Sequence, residues 1–158
     1  MLPSLFRTCS LFSPLDWEGR KMNNEITLEQ IMAEAAIFHS LSNDLSDSWH
    51  KVLKWKHISQ AELSRRTGIT ERTITTTITG QRTATLENVV LLCLAANLPS
   101  EVSEHLIKLS GYVLTSNKQE HVIYSYLLRN MYMESLADIR IFLQKIGSEL
   151  YLIFPGNI

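Results

Sequence analysis

The chain is expected to be all-α, and three observations carry that expectation. Residues 59–82, SQAELSRRTGITERTITTTITGQR, have the grammar of two short helices joined by a tight glycine turn. Residues 89–96, VVLLCLAA, are apolar on every side, as only a helix covered on all sides can be. Hydroxyl residues suited to helix starts stand at Thr27, Ser59, Thr70, Thr85, Ser100, Ser116 and Ser135, each followed by apolar residues at helical spacing.

Taken in order, residues 1–24 read as an unstructured or miscalled leader. The segment MLPSLFRTCSLFSPL is broken by Pro3 and Pro14 and has its arginine in the middle, which makes a poor signal peptide. Thr27 to Gln30 reads as a capping box, and Leu28, Ile31, Ala35 and Phe38 then predict a helix to about Leu41, within an N-terminal element over residues 25–43. Ser42-Asn43-Asp44 breaks it. The next helix, from about Leu45 to His57, turns Leu45, Trp49, Val52 and Leu53 inward and Lys51, Lys54 and Lys56 outward. Trp49 reads as a core anchor, while Trp55 packs under the following turn or lies at the rim.

Gln60 to Thr67 is the first helix of the pair, capped by Ser59, with Leu63 and Ser64 inward. Gly68 enters a left-handed conformation at little cost and ends it. Ile69 plugs the corner, Thr70 caps, and a second helix runs from Glu71 to about Thr79 on the inward pair Ile74 and Ile78. Glu71, Arg72, Thr73, Thr75, Thr76 and Thr79 are left facing outward. Threonine restricts χ1 in a helix, and ITTTIT alternates as a half-buried strand would. Helical patterns on both flanks, with no second strand nearby to pair with, favour the helix.

Gln81 to Ala84 is a polar loop carrying Arg82, and Thr85 caps a central helix from Leu86 to about Asn97. After Pro99, with Ser100 as cap, Val102, Leu106 and Leu109 share a face up to Gly111. Ser116 to Gln119 reads as another capping box before Val122, Ile123, Tyr126 and Leu127. Ser135 opens the last helix, with Leu136, Ile139, Phe142, Leu143 and Ile146, and Gly147 ends it. The tail YLIFPGNI is too short to be a domain.

The register of the helix pair resembles the helix-turn-helix of the lambda-repressor and Cro-type family, also called the xenobiotic-response-element type. The matching residues are Gln60, Leu63, Ser64, Gly68, Ile69, Ile74, Ile78 and Gly80, with the Thr85-Leu86-Glu87 helix start. The likeness covers roughly residues 48–97. It implies a five-helix DNA-binding bundle over residues 44–111 that docks its third helix into DNA. Residues 112–158 would then be a C-terminal helical extension, for dimerisation, for partner binding or for completing the core. Thr76 stands where the family often has a long basic or amide residue, Thr77 where it has an aliphatic one and Thr79 where it commonly has Asn.

The resemblance implies base contacts from Thr70, Glu71, Arg72, Thr75 and Thr76, and phosphate contacts from Gln60, Lys56, Thr79 and Arg82. Arg72, in the first turn of the recognition helix, is the best base reader, because a guanidinium pairs with two acceptors of guanine. The partner implied is double-stranded DNA, read by a homodimer on an inverted repeat, with a protein partner possible through the C-terminal helices. That describes a bacterial or phage-type transcriptional regulator, a repressor. The alternative is a protein-interaction module, such as the antitoxin of a toxin pair or a regulatory fragment of a longer protein.

Charge fits the first reading. The 158 residues sum to −1, yet Lys51 to Arg82 holds seven bases against two acids, +5, leaving −6 elsewhere. A positive island on an acidic chain fits phosphate contact there. Cys9 and Cys93 are too few and too far apart for a disulfide framework or a zinc site, and suit a reducing cytoplasm. No apolar run is long enough to span a membrane. The five histidines lack metallopeptidase spacing, and no glycine-rich phosphate loop, GxSxG or CxxC occurs. Neither catalysis, a metal nor a cofactor is expected.

Overall fold

The computed structural model describes residues 26–156; the leader and Cys9 lie outside them. Eight α-helices follow in order: α1 Leu28–Ser40, α2 Leu45–Lys56, α3 Gln60–Thr67, α4 Glu71–Ile78, α5 Leu86–Ala95, α6 Ser100–Leu109, α7 Gln119–Asn130 and α8 Leu136–Lys145. A short 3-10 helix, Glu149–Ile153, closes the chain, and no strand occurs among the described residues. The backbone divides into two units between Ala33 and Glu34, inside α1. In the first, the amide of Gln30 donates to the Thr27 hydroxyl at 3.2 Å, the expected helix start. The second, from Glu34 onward, contains α2 to α8 and with them the helix pair.

The centre of this second unit is α5, where every residue from Val89 to Ala95 is buried, as a helix apolar all round requires. α3 and α6 pack on it, α7 covers it from the C-terminal side, and α2 braces α4 and α6. Trp49, Val52, Leu63, Ile74 and Ile78 join the same core with Leu106, Tyr124, Leu127, Ile139 and Leu143. The tail does more than its length suggests. Phe154 is buried, and the Arg140 guanidinium donates to the carbonyls of Tyr151 and Phe154 at 3.0 and 2.6 Å.

Side-chain caps form at Asp44, Ser59, Thr70, Thr85 and Ser135. Two expected caps do not. Pro99, not Ser100, occupies the cap position of α6, and Ser100 turns its hydroxyl to Glu101 instead. Likewise α7 begins at Gln119 behind Lys118, with no side-chain cap, so the box at Ser116 is unused. α7 then buries Tyr124, Leu127 and Leu128 and leaves Val122 and Tyr126 exposed. Apolar residues surround that helix, so spacing alone does not choose a face; docking on α5 and α6 does. Among the described residues, no helix is long and apolar enough to cross a membrane.

Candidate nucleic-acid interface

The interface is built on the corner between α3 and α4. Gly68 sits at φ 77°, and its amide donates to the Ser64 carbonyl at 2.9 Å, ending α3 in the left-handed cap glycine allows. Thr67, buried beside it, fastens the turn twice: its hydroxyl donates to the Leu63 carbonyl at 2.7 Å and accepts from the Ile69 amide at 3.1 Å. Ile69 packs half-buried against the core. The Thr73 amide then donates to the Thr70 hydroxyl at 3.3 Å, which starts α4.

Ile74 and Ile78 of α4 are fully buried, and Thr77 is 5% exposed between them. Thr77 therefore takes the inward place that the resemblance reserves for an aliphatic residue. The segment is helix throughout Glu71–Ile78, which removes the strand alternative. Docking supplies what threonine's modest helix propensity lacks. Thr70, Glu71, Arg72, Thr75 and Thr79 are exposed, whereas Thr73 and Thr76 are half-buried rather than fully outward.

The threonine hydroxyls are internally committed. Thr75 donates to the Gln60 amide oxygen at 2.5 Å or to the Glu71 carbonyl at 2.9 Å; Thr76 donates to the Thr73 carbonyl at 3.0 Å and Thr79 to the Thr75 carbonyl at 2.8 Å. With their protons turned back to the helix, Thr75 and Thr79 show outward a methyl group and spare oxygen lone pairs. The link to Thr75 also fixes Gln60 at the start of α3, with its amide nitrogen left to donate elsewhere.

Arg82 is exposed beyond the end of α4, and its backbone amide donates to the Thr76 carbonyl at 3.3 Å. The far end of that loop is held by the Tyr112 hydroxyl, which donates to the Ala84 carbonyl at 2.6 Å. Thr70, Glu71, Arg72, Thr75, Thr79, Gln60 and Arg82 thus belong to α4, its two ends and the head of α3. Lys56 does not join them. It lies half-buried, 4.5 Å over the Trp55 ring, and lines an open cavity with Glu62, Arg66 and Asn97 on the other side of α3. Burial holds its pKa below that of a free lysine.

Three of the island's seven bases, Lys51, Arg65 and Arg66, are paired with carboxylates. Lys51 pairs with Asp47 at 3.0 Å and donates to the Ser40 carbonyl at 3.0 Å. Glu62 receives Arg65 at 2.5 and 2.9 Å and Arg66 at 2.9 Å. Those two guanidiniums, Arg65 first, hold the Glu62 carboxyl down at a pKa of about 2. Among the described residues, no hydrogen bond or ion pair engages the side chain of Lys54, Arg72 or Arg82. A sum of formal charges sees the island but not the pairing; Lys54, exposed on α2, is the free basic residue that the sequence pattern does not single out.

No curated protein and no solved structure matches the chain. Residues 50–102, running from within α2 into the first turn of α6, match the helix-turn-helix family of the lambda-repressor-like, Cro type, a DNA-binding family.

Proposed function

We propose that the protein is a sequence-specific DNA-binding transcriptional regulator, a repressor, that lays α4 in the major groove. One observation carries this reading. α4 is anchored by Ile74, Thr77 and Ile78 and turns outward Glu71, Arg72, Thr75 and Thr79, with the unpaired Arg72 and Arg82 at its two ends. A rigid helix showing groups that can hydrogen-bond, flanked by free cations, suits base edges between two phosphate strands. In this reading Arg72 reads guanine and Thr70, Glu71, Thr75 and Thr76 contact neighbouring bases. Gln60, Thr79 and Arg82 hold phosphates, while Lys56 is too enclosed to contribute much.

One such unit makes few base contacts, so we place two on an inverted repeat as a homodimer. The C-terminal helices favour this arrangement. Val122, Tyr126, Ile141 and Ile146 are exposed there, and Tyr126 stacks on Phe142 with centroids 5.6 Å apart and planes at 12°. The antitoxin reading draws on the same apolar groups, with a foreign chain in place of the second copy.

Selecting bound duplexes from a random pool, then titrating salt on the selected sequence, tests the proposal. With Lys54 and Arg82 from each of two copies at phosphates, affinity should fall roughly a hundredfold between about 50 and 200 mM salt. A paired half-site about one helical turn apart is expected in the selected pool. No enrichment, or binding indifferent to salt, overturns the reading; a monomer at tens of micromolar with and without DNA overturns the dimer.

A further inference from the structure

Behind the helix pair, on the side of α3 away from α4, a cavity of about 360 Å³ opens between α3, the end of α5, the start of α8 and Pro155. Gln60 faces α4, and Arg66 lies roughly 240° around α3 from it, so the cavity is separate from the interface described above. We propose that this cavity is a binding site for a small organic monocarboxylate. The inference goes beyond the DNA reading and does not depend on it.

Two arginines leave donors unused at its wall. Arg66 uses Nε on Glu62 and Nη1 on the Ala95 carbonyl and the Asn97 amide oxygen, at 2.9, 2.7 and 3.4 Å. Arg65 uses Nε and Nη2 on Glu62. A guanidinium has five N–H groups, so Arg65 Nη1 and Arg66 Nη2 each keep two donors with no partner among the described residues. Arg66 is 34% exposed and held in place at depth, while Arg65, at 67%, stands at the mouth. Two such nitrogens match the two oxygens of one carboxylate.

The remaining walls set the rest of the ligand. Ala137 and Pro155, with the buried Leu94 and Leu136 behind them, offer an apolar surface to a hydrocarbon body. The volume lies at the low end of small-molecule sites, which limits that body to a few carbons. Glu62 offsets one of the two guanidinium charges and leaves a net +1, so a monoanion fits better than a phosphate dianion. A ligand held here would bridge α3 to α8, adding to the bond by which the Asn97 amide donates to the Tyr132 carbonyl at 2.8 Å.

Hexanoate is the probe, titrated into the full chain by calorimetry and by thermal denaturation. Inorganic phosphate and hexylammonium at matched ionic strength are the controls. Hexanoate should bind saturably and at least tenfold more tightly than either control. Arg65→Gln, which leaves the Arg66 contacts to α5 in place, should weaken it at least tenfold. Ala137→Phe, at an exposed position on the rim, should abolish it by filling the cavity. Both variants must keep the wild-type helix content and melting temperature without ligand; one that does not is replaced by Arg65→Met or Ala137→Leu, read in the same way. Hexanoate binding no better than the controls, or folded variants at both positions that bind as the wild type does, overturns the assignment.

Discussion

The hydroxyl of Thr75 lies 2.5 Å from the amide oxygen of Gln60, fifteen residues earlier, and this contact ties the exposed side of α4 to the head of α3. It fixes the Gln60 amide oxygen, and in the proposed complex the amide nitrogen donates to a phosphate. Gln60→Ala and Thr75→Val should therefore weaken DNA binding by overlapping amounts. A double-mutant cycle on the selected duplex should give a coupling of about 1 kcal/mol. Strict additivity would mean that the two side chains act independently.

Arg72 and Arg82 carry the same charge at opposite ends of α4, and neither side chain has a partner among the described residues. Their roles should separate. Arg72→Ala should flatten base preference at one position of each half-site, at a cost of about 1–3 kcal/mol on the preferred sequence. Arg82→Ala should weaken all sequences alike and lower the salt slope by about one phosphate per copy. A base-substitution panel at fixed salt distinguishes them. Identical preference profiles for the wild type and Arg72→Ala would remove the base-reading role.

Thr77 is 5% exposed between Ile74 and Ile78, and its hydroxyl makes no hydrogen bond to any described residue. Thr77→Val keeps the branched shape and puts a methyl group in place of the hydroxyl at this largely buried position. It should stabilise the fold by about 1 kcal/mol, read from the shift in denaturant midpoint at constant slope. A loss of stability would show that the hydroxyl is satisfied.

The helix pair was legible in the sequence because its determinants are local. Ser59, Gly68 and Thr70 each act within four residues, so the sequence can be read almost atom by atom there. The positions that misled are those fixed by distant partners. Lys56 follows two outward lysines on one helix, yet it is drawn over Trp55 into the cavity beside Asn97, forty-one residues away. The basic island owes its partial neutralisation to Asp47 and Glu62, which turn their carboxylates onto their own helical neighbours. Asn97 adopts φ 54° and joins Arg66 to the Tyr132 carbonyl. That joint between the helix-turn-helix segment and the C-terminal helices has no local signature.

Glu62 makes the paired arginines testable by pH. Its carboxyl is held at about 2, against 4.5 for a free glutamate, by hydrogen bonds from Arg65 and then Arg66. Because the folded value is depressed, the unfolded chain binds a proton more readily as pH falls. The stabilisation is fully present above pH 4.5 and is lost progressively from there down to about pH 2. Glu62→Gln removes that titration. The wild type should therefore be the more stable protein at neutral pH, by a small margin, because the Glu62–Arg65 pair is exposed to solvent. The margin should shrink steadily below pH 4.5, and the two denaturation midpoints should converge near pH 2. A difference that stayed constant from pH 7 to pH 2 would mean that the arginines do not hold the carboxylate in the folded state. The cavity between α3 and α8 would then lose the clamp that aims its two guanidiniums.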